Sequence, residues 1–144
     1  MITKFYTLVS KLRDLPLLFT RLILAYGFYG PAKMKLKDIH SMIDWFSSLH
    51  IPMPTINAYL ATGTEVLGVI CLTLGLFTRI ISIPLIIVMI VAIITVHLHN
   101  GFEAGNNGFE IPLYYMIMLF TLMVFGSGKL SLDYILERRK KNIN

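Results

Sequence analysis

The sequence predicts an all-α polytopic membrane protein, an antiparallel bundle of four transmembrane helices with a short interfacial amphipathic helix between spans one and two. Two observations carry that prediction. The 144 residues are 56% hydrophobic and only 15% charged, whereas ordinary globular domains are about 25% charged. The charges also gather in short segments, leaving four apolar runs close to the roughly 20 residues that a helix needs to cross about 30 Å of hydrocarbon. The whole of residues 1–144 reads as one transmembrane domain.

Span one covers about 15–34, "LPLLFTRLILAYGFYGPAKM", with Pro16 suited to a first helical turn. A few basic residues precede it, as in a signal peptide. The run is span-length, however, and lacks a small-residue cleavage site after a short core, so it reads as a retained helix. The connection that follows is more than a loop. Ile39, Met42, Ile43 and Phe46 recur at helical spacing with Lys37, Asp38, Ser41 and Asp44 between them. Trp45 suits the headgroup level, so an amphipathic helix over about 37–49 lies in the interface.

Span two covers about 56–77 and span three about 80–98, joined so closely that they form a tight hairpin; Pro84 predicts a kink near the start of span three. The Gly- and Asn-rich "HLHNGFEAGNNGFE" forms a turn-forming, flexible outer loop. Span four covers about 110–127. A basic tail over about 130–144 follows, in which Ser131 caps a short helix and "RRKK" favours anionic lipid.

Four spans place both termini on one side. That side carries Lys4, Lys11, Arg13, Arg79, Lys129, Arg138, Arg139, Lys140 and Lys141, against Lys33, Lys35 and Lys37 on the other. Nine against three predicts cytoplasmic termini. The same placement explains the net charge of +5 by membrane orientation and gives no reason to expect nucleic acid. The lipid bilayer is the first partner. A lone cysteine, Cys71, excludes dithiol–disulfide chemistry within one chain and reads as a small core hydrophobe.

The costliest residue is Glu65, about nine residues or roughly 13 Å inside span two. Facing lipid, its carboxylate would cost several kcal/mol. It must be protonated, face the bundle interior or meet a cation. The candidate cation is Arg21 of span one, roughly 9 Å deep, with Tyr26 and Thr62 as neighbouring hydrogen-bond partners. A buried Arg21–Glu65 pair has two readings: an architectural contact that fixes helix pairing, or the lining of a polar cavity that binds a head group or relays a proton.

A second cluster, Lys33, His97, His99, Glu103 and Glu110 with Asn106 and Asn107, belongs at the outer surface. Histidines beside carboxylates can ligate zinc, but this spacing is unspecific and close to water. A hydrogen-bonded cavity rim or a solvated loop is the expectation, with no metal. Arg79, at the inner end of the hairpin, reads as an anchor to lipid phosphates.

These segments resemble the DoxX family of small bacterial membrane proteins. The likeness covers about residues 17–134 and rests on "RLILAYGFYGPAKM" with Arg21, Gly30 and Lys33, on "EVLGVICLTLGLFTR" with Glu65, Gly68, Gly75, Leu76, Thr78 and Arg79, on His97 with the "NGFE" ending at Glu110, and on "GSGKLSLD" with Gly126, Gly128, Ser131 and Asp133. Pro84 and the second histidine, His99, depart from the pattern. The resemblance implies a four-helix bundle in a prokaryotic cytoplasmic (inner) membrane and a link to redox systems, among them quinone oxidoreductases.

The leading functional expectation is therefore a membrane subunit of a redox-linked assembly that binds a quinone or other lipophilic molecule within the bundle. The expected ligand-binding residues are Arg21, Glu65, Tyr26, Lys33, His97 and Glu110. No flavin, haem or dinucleotide motif is present, so no intrinsic cofactor is expected beyond a bound quinone, and electrons would come from a soluble or membrane oxidoreductase partner. A non-catalytic scaffold that recruits other proteins is the alternative. A small-molecule transporter is third, since four spans leave little room for a path unless the chain forms a homo-oligomer.

Overall fold

The computed structural model describes Ser10 and residues 12–141. Lys4 and Lys11, which entered the orientation count, and residues 142–144 of the tail lie outside the described residues.

Helix α1 is Asp14–Lys37, one turn longer than expected. It runs through Pro31 and ends where Asp38 leaves helical geometry with φ −146°. Asp38 at once caps the next helix, accepting the Ser41 N–H at 3.0 Å and the Ser41 hydroxyl at 2.5 Å. Those two bonds, the hydroxyl foremost, hold the Asp38 carboxyl below the usual carboxylate range. Helix α2, Ile39–Ser48, is the amphipathic helix of the sequence pattern, burying Phe46.

Helix α3 is Pro54–Leu74, with Pro in its first turn. It stops three residues earlier than the hydropathy suggests, because Gly75 takes the left-handed conformation at φ +66°. Phe77, also left-handed, precedes α4, Thr78–Ala92. The hairpin link is thus Gly75–Phe77 rather than the neighbourhood of Thr78 and Arg79. Helix α4 continues unbroken past Pro84 and then changes pitch, through a π-helical turn at Ile93–His97 and a 3-10 turn at Leu98–Asn100. Helix α5 is Glu110–Phe125 and α6 is Leu132–Lys141. Among the described residues there is no strand.

The broadest contacts join α1 to α3 and α4 to α5; α3–α4 and α1–α5 contacts close the ring, and α2 lies against α3. Each long helix contributes a buried stripe at helical spacing. On α1 it is Arg21, Leu24, Ala25, Phe28, Ala32 and Lys35; on α3, Ala58, Thr62, Glu65, Gly68 and Leu72; on α4, Thr78, Ser82, Leu85 and Met89. Leu24, Phe28, Leu72, Leu85, Met89, Leu119 and Leu122 make the apolar centre.

Outside that core the surface is oily. Helix α3 and the 23-residue run Thr78–Asn100 are each long and apolar enough to cross a membrane, and only 28% and 17% of their apolar windows is buried. A core helix of a soluble protein would bury most of that surface. Helix α5 is as apolar but shorter.

Candidate functional site

Two polar sites lie at opposite ends of the core, set by Arg21 and Lys35. Fourteen residues of α1 separate them, roughly 21 Å at 1.5 Å per residue.

Arg21 is 1% exposed. Its Nη2 donates to the Leu130 carbonyl at 2.5 Å, and Nη1 lies 3.5 Å from the Leu72 carbonyl, at the limit of a useful bond. Nε has no partner. The space exists because residue 75 is glycine: a Cβ there would fall 1.8 Å from Nη1, and φ +66° already disfavours any side chain. The segment 126–131 is folded across this end. Ser127 donates to Ser131 at 2.9 Å, and Ser131 donates to the Gly128 carbonyl at 2.5 Å. The Lys129 N–H binds Asp14 at 3.0 Å. Ser131 also accepts the Tyr134 N–H at 3.3 Å, the cap that the sequence predicts for the last helix.

Asp133 ties the same segment to the hairpin. Its Oδ1 accepts the Phe77 N–H at 2.8 Å and its Oδ2 the Thr78 N–H at 3.1 Å, while its own N–H donates to the Gly75 carbonyl at 3.0 Å. A carboxylate on two free N–H groups at the start of α4 is a cap supplied from 55 residues away.

At the other end, Lys35 Nζ donates to Glu65 Oε1 at 2.5 Å. The two residues are 9% and 2% exposed. The expected Arg21–Glu65 pair is therefore not formed: Arg21 lies level with Leu72, seven residues and roughly 10 Å further along α3, where backbone carbonyls meet its two Nη groups. Lys35, assigned by the hydropathy pattern to the external loop, answers Glu65 instead. Its ammonium can do so because a helical side chain leans toward the helix N-terminus, here into the bundle. Glu65 Oε2 is buried without a partner.

The remaining expected residues do not join either site. Tyr26 is 83% exposed, and the Thr62 hydroxyl donates to the Ala58 carbonyl of its own helix at 2.7 Å. The exposed Lys33 ammonium lies 5.9 Å over the Tyr29 ring. His97 Nδ1 meets the Asn107 carbonyl at 2.8 Å; Glu110 accepts the Ala104 N–H at 3.0 Å and the Tyr114 hydroxyl at 3.0 Å. Together with Phe109 N–H to Gly101 O at 3.1 Å, these bonds stitch the loop 101–109 to the turns that follow α4 and to the start of α5. His99 and Glu103 are exposed, and Asn106 donates to Glu103 at 3.3 Å. Among the described residues no group of three or more His, Cys, Asp or Glu could hold a metal ion.

Lys35 and Asp133 are the residues that sequence reasoning missed. A signal existed for Lys35: it sits 14 positions after Arg21 on the same apolar stripe, where a solvent lysine has no reason to be. For Asp133 the sequence offers no distance to Phe77.

The DoxX family matches the chain over residues 16–98. A protein of Bacillus subtilis (strain 168) bearing the name "Putative oxidoreductase CatD" is 31% identical over 138 residues, covering 94% of this chain and 98% of its own. An uncharacterized protein of Haemophilus influenzae (strain ATCC 51907 / DSM 11121 / KW20 / Rd) is 31% identical over 130 residues, 85% of this chain and 83% of its own. No solved structure matches the chain. With an all-helical bundle and relatives matched along nearly their full length, the chain belongs to the DoxX family.

Proposed function

We propose that the protein is a four-span membrane subunit of a redox-linked assembly and that it binds the head group of a quinone, or of a similar lipophilic carbonyl compound, at the Lys35–Glu65 pair. The observation that carries this reading is the unpartnered Oε2 of Glu65. A buried carboxylate oxygen that accepts nothing costs desolvation energy with no return, and a ligand hydroxyl would supply the missing bond. Lys35 has three N–H groups and gives one to Glu65, so a carbonyl oxygen of the same ligand can take another. A quinone offers carbonyl oxygens and its reduced form offers hydroxyls, so the pair suits both states. The exposed apolar faces of α3, α4 and α5 favour a bilayer setting, and the oxidoreductase name of the Bacillus relative favours redox work. The electrons would be supplied by a partner oxidoreductase.

A scaffold is the second reading, favoured by the Lys35–Glu65 bond itself, which already joins α1 to α3. Titrating a short-chain quinone against the purified protein separates the two. The first reading expects Glu65→Gln to weaken binding about tenfold or more, as loss of a charged hydrogen bond does, and the double variant Lys35→Met with Glu65→Met to abolish it. Unchanged binding in both variants removes the pair from ligand recognition.

A further inference from the structure

The Arg21 end carries a cavity of about 370 Å³ bounded by the start of α1, the first turn of α4, the turn after α5 and the face of α6. Its walls are charged: Arg13, Arg79 and Lys129 against Asp14, Asp133 and Glu137. The sum is zero, yet the two signs are not equally available. Asp133 is occupied by the Phe77 and Thr78 N–H groups, and Asp14 by the Lys129 N–H. Among the described residues no side-chain hydrogen bond or ion pair engages Arg13, Arg79 or the Lys129 ammonium. Three cations thus border the cavity without a side-chain partner, while Asp133 has both oxygens engaged and Asp14 one.

Arg79 is also placed. Gly126, at φ +80°, would bring a Cβ to 3.0 Å from Arg79 Nε and 3.4 Å from Nη2, so the absence of a side chain lets the guanidinium lie against the turn beside the cavity. A planar fork held in this way, with a second arginine nearby, matches the oxygens of a phosphate.

We propose that this cavity binds a phosphate group, presented by a lipid head group or by a soluble phosphate ester, with Arg79 and Arg13 as its main donors. The lipid source rests on the membrane-spanning reading above. In that reading α6, with Leu132, Ile135 and Leu136 exposed and four basic residues in its last turn, lies at the interface and sets the cavity at the level of lipid phosphates.

The test uses the full chain in two arms. In one, inorganic phosphate is titrated against protein stripped of lipid in maltoside detergent and followed by phosphorus NMR line width. In the other, the protein is reconstituted with phosphatidylglycerol or with a phosphate-free glucosyl diacylglycerol, re-extracted, and its retained phospholipid counted by native mass spectrometry. Arg79→Gln with Arg13→Gln is expected to cut binding about tenfold or more, Arg79→Lys to cut it less, and Lys37→Gln, at the far end of α1, to leave it within about twofold. Binding in the lipid arm alone assigns a head group, and in the phosphate arm alone a soluble ester. Binding that survives Arg79→Gln with Arg13→Gln overturns the proposal, as does no binding by wild type in either arm. Both arginines are exposed, so the bundle should persist, which circular dichroism checks. Quinone titration of the same variants should be unchanged, so failure at one end is distinguishable from failure at the other.

Discussion

Arg21 and Lys35 are both cations on one stripe of α1, both buried, and held by opposite means. Arg21 meets neutral acceptors, the carbonyls of Leu72 and Leu130, in a socket that a glycine keeps open. Lys35 meets a charge, the carboxylate of Glu65. A guanidinium on carbonyls has no proton to exchange and works as a fixed pin, closing the 126–131 segment over the bundle. An ammonium–carboxylate pair with an idle oxygen has spare donors and a spare acceptor, the properties a binding site needs. Each end leaves a buried polar atom idle, Arg21 Nε and Glu65 Oε2, but only the second lies beside spare donors. This contrast teaches that burial of charge alone does not mark a functional residue; what the charge faces decides it.

The largest expected effect tests the pin. Gly75→Val should cost about 3–5 kcal/mol, because it adds a left-handed backbone penalty to the displacement of a buried cation from its acceptors. Thermal unfolding in detergent should show little or no folded protein. A variant with near wild-type stability would mean that the Arg21 socket is loose and that the ends differ less than their geometry indicates.

Next comes the pair. Lys35→Met leaves a buried carboxylate without a counter-charge and should cost about 3–5 kcal/mol, whereas Lys35→Met with Glu65→Leu should recover most of that loss. Denaturation midpoints of the two variants measure the difference. Equal destabilisation would mean that the pair specifies the α1–α3 packing beyond its own charge balance.

A smaller change loosens the strap while leaving the carbonyl acceptors of Arg21 in place. Asp133→Ala removes the two-oxygen cap on Phe77 and Thr78 and should cost about 1–2 kcal/mol. Limited proteolysis should then cut within residues 126–131 faster than in wild type. An unchanged cleavage rate would leave Arg21 as sufficient to hold the segment.

The sequence made the helices legible because their apolar periods are long, and it placed Glu65 inside the bundle because an isolated acid in an oily run has few alternatives. It paired Glu65 wrongly for a definable reason. Hydropathy marks depth only by where apolar runs begin and end, and α1 extends to Lys37, so the pattern leaves Lys35 outside the span although its position on the Arg21 stripe puts it inside. The hairpin link was misplaced by three residues because Gly75 ends α3 early and the cap that begins α4 comes from Asp133. Contacts such as Asp133 to Phe77 join residues far apart in the chain and leave no local pattern. The Arg79 cavity was half legible: the arginine could be placed at the hairpin, but the commitment of the neighbouring acids needed coordinates.

The smallest expected effect asks whether the two ends act independently. Gly30 lies in α1 between Arg21 and Lys35, and a Cβ there would meet nothing within 4 Å. Gly30→Ala should therefore gain only helix propensity, up to about 1 kcal/mol. The gain should be the same in wild type, in Asp133→Ala and in Lys35→Met, because sites without shared partners add once they are roughly 7–10 Å apart, and even Lys35, five residues on, is roughly 7.5 Å along the helix from Gly30. Chemical denaturation of the three pairs reads this directly. A gain that shrinks by more than about 0.5 kcal/mol in one background only would show that α1 transmits strain between its ends. The pin and the pair would then be two parts of one coupled element.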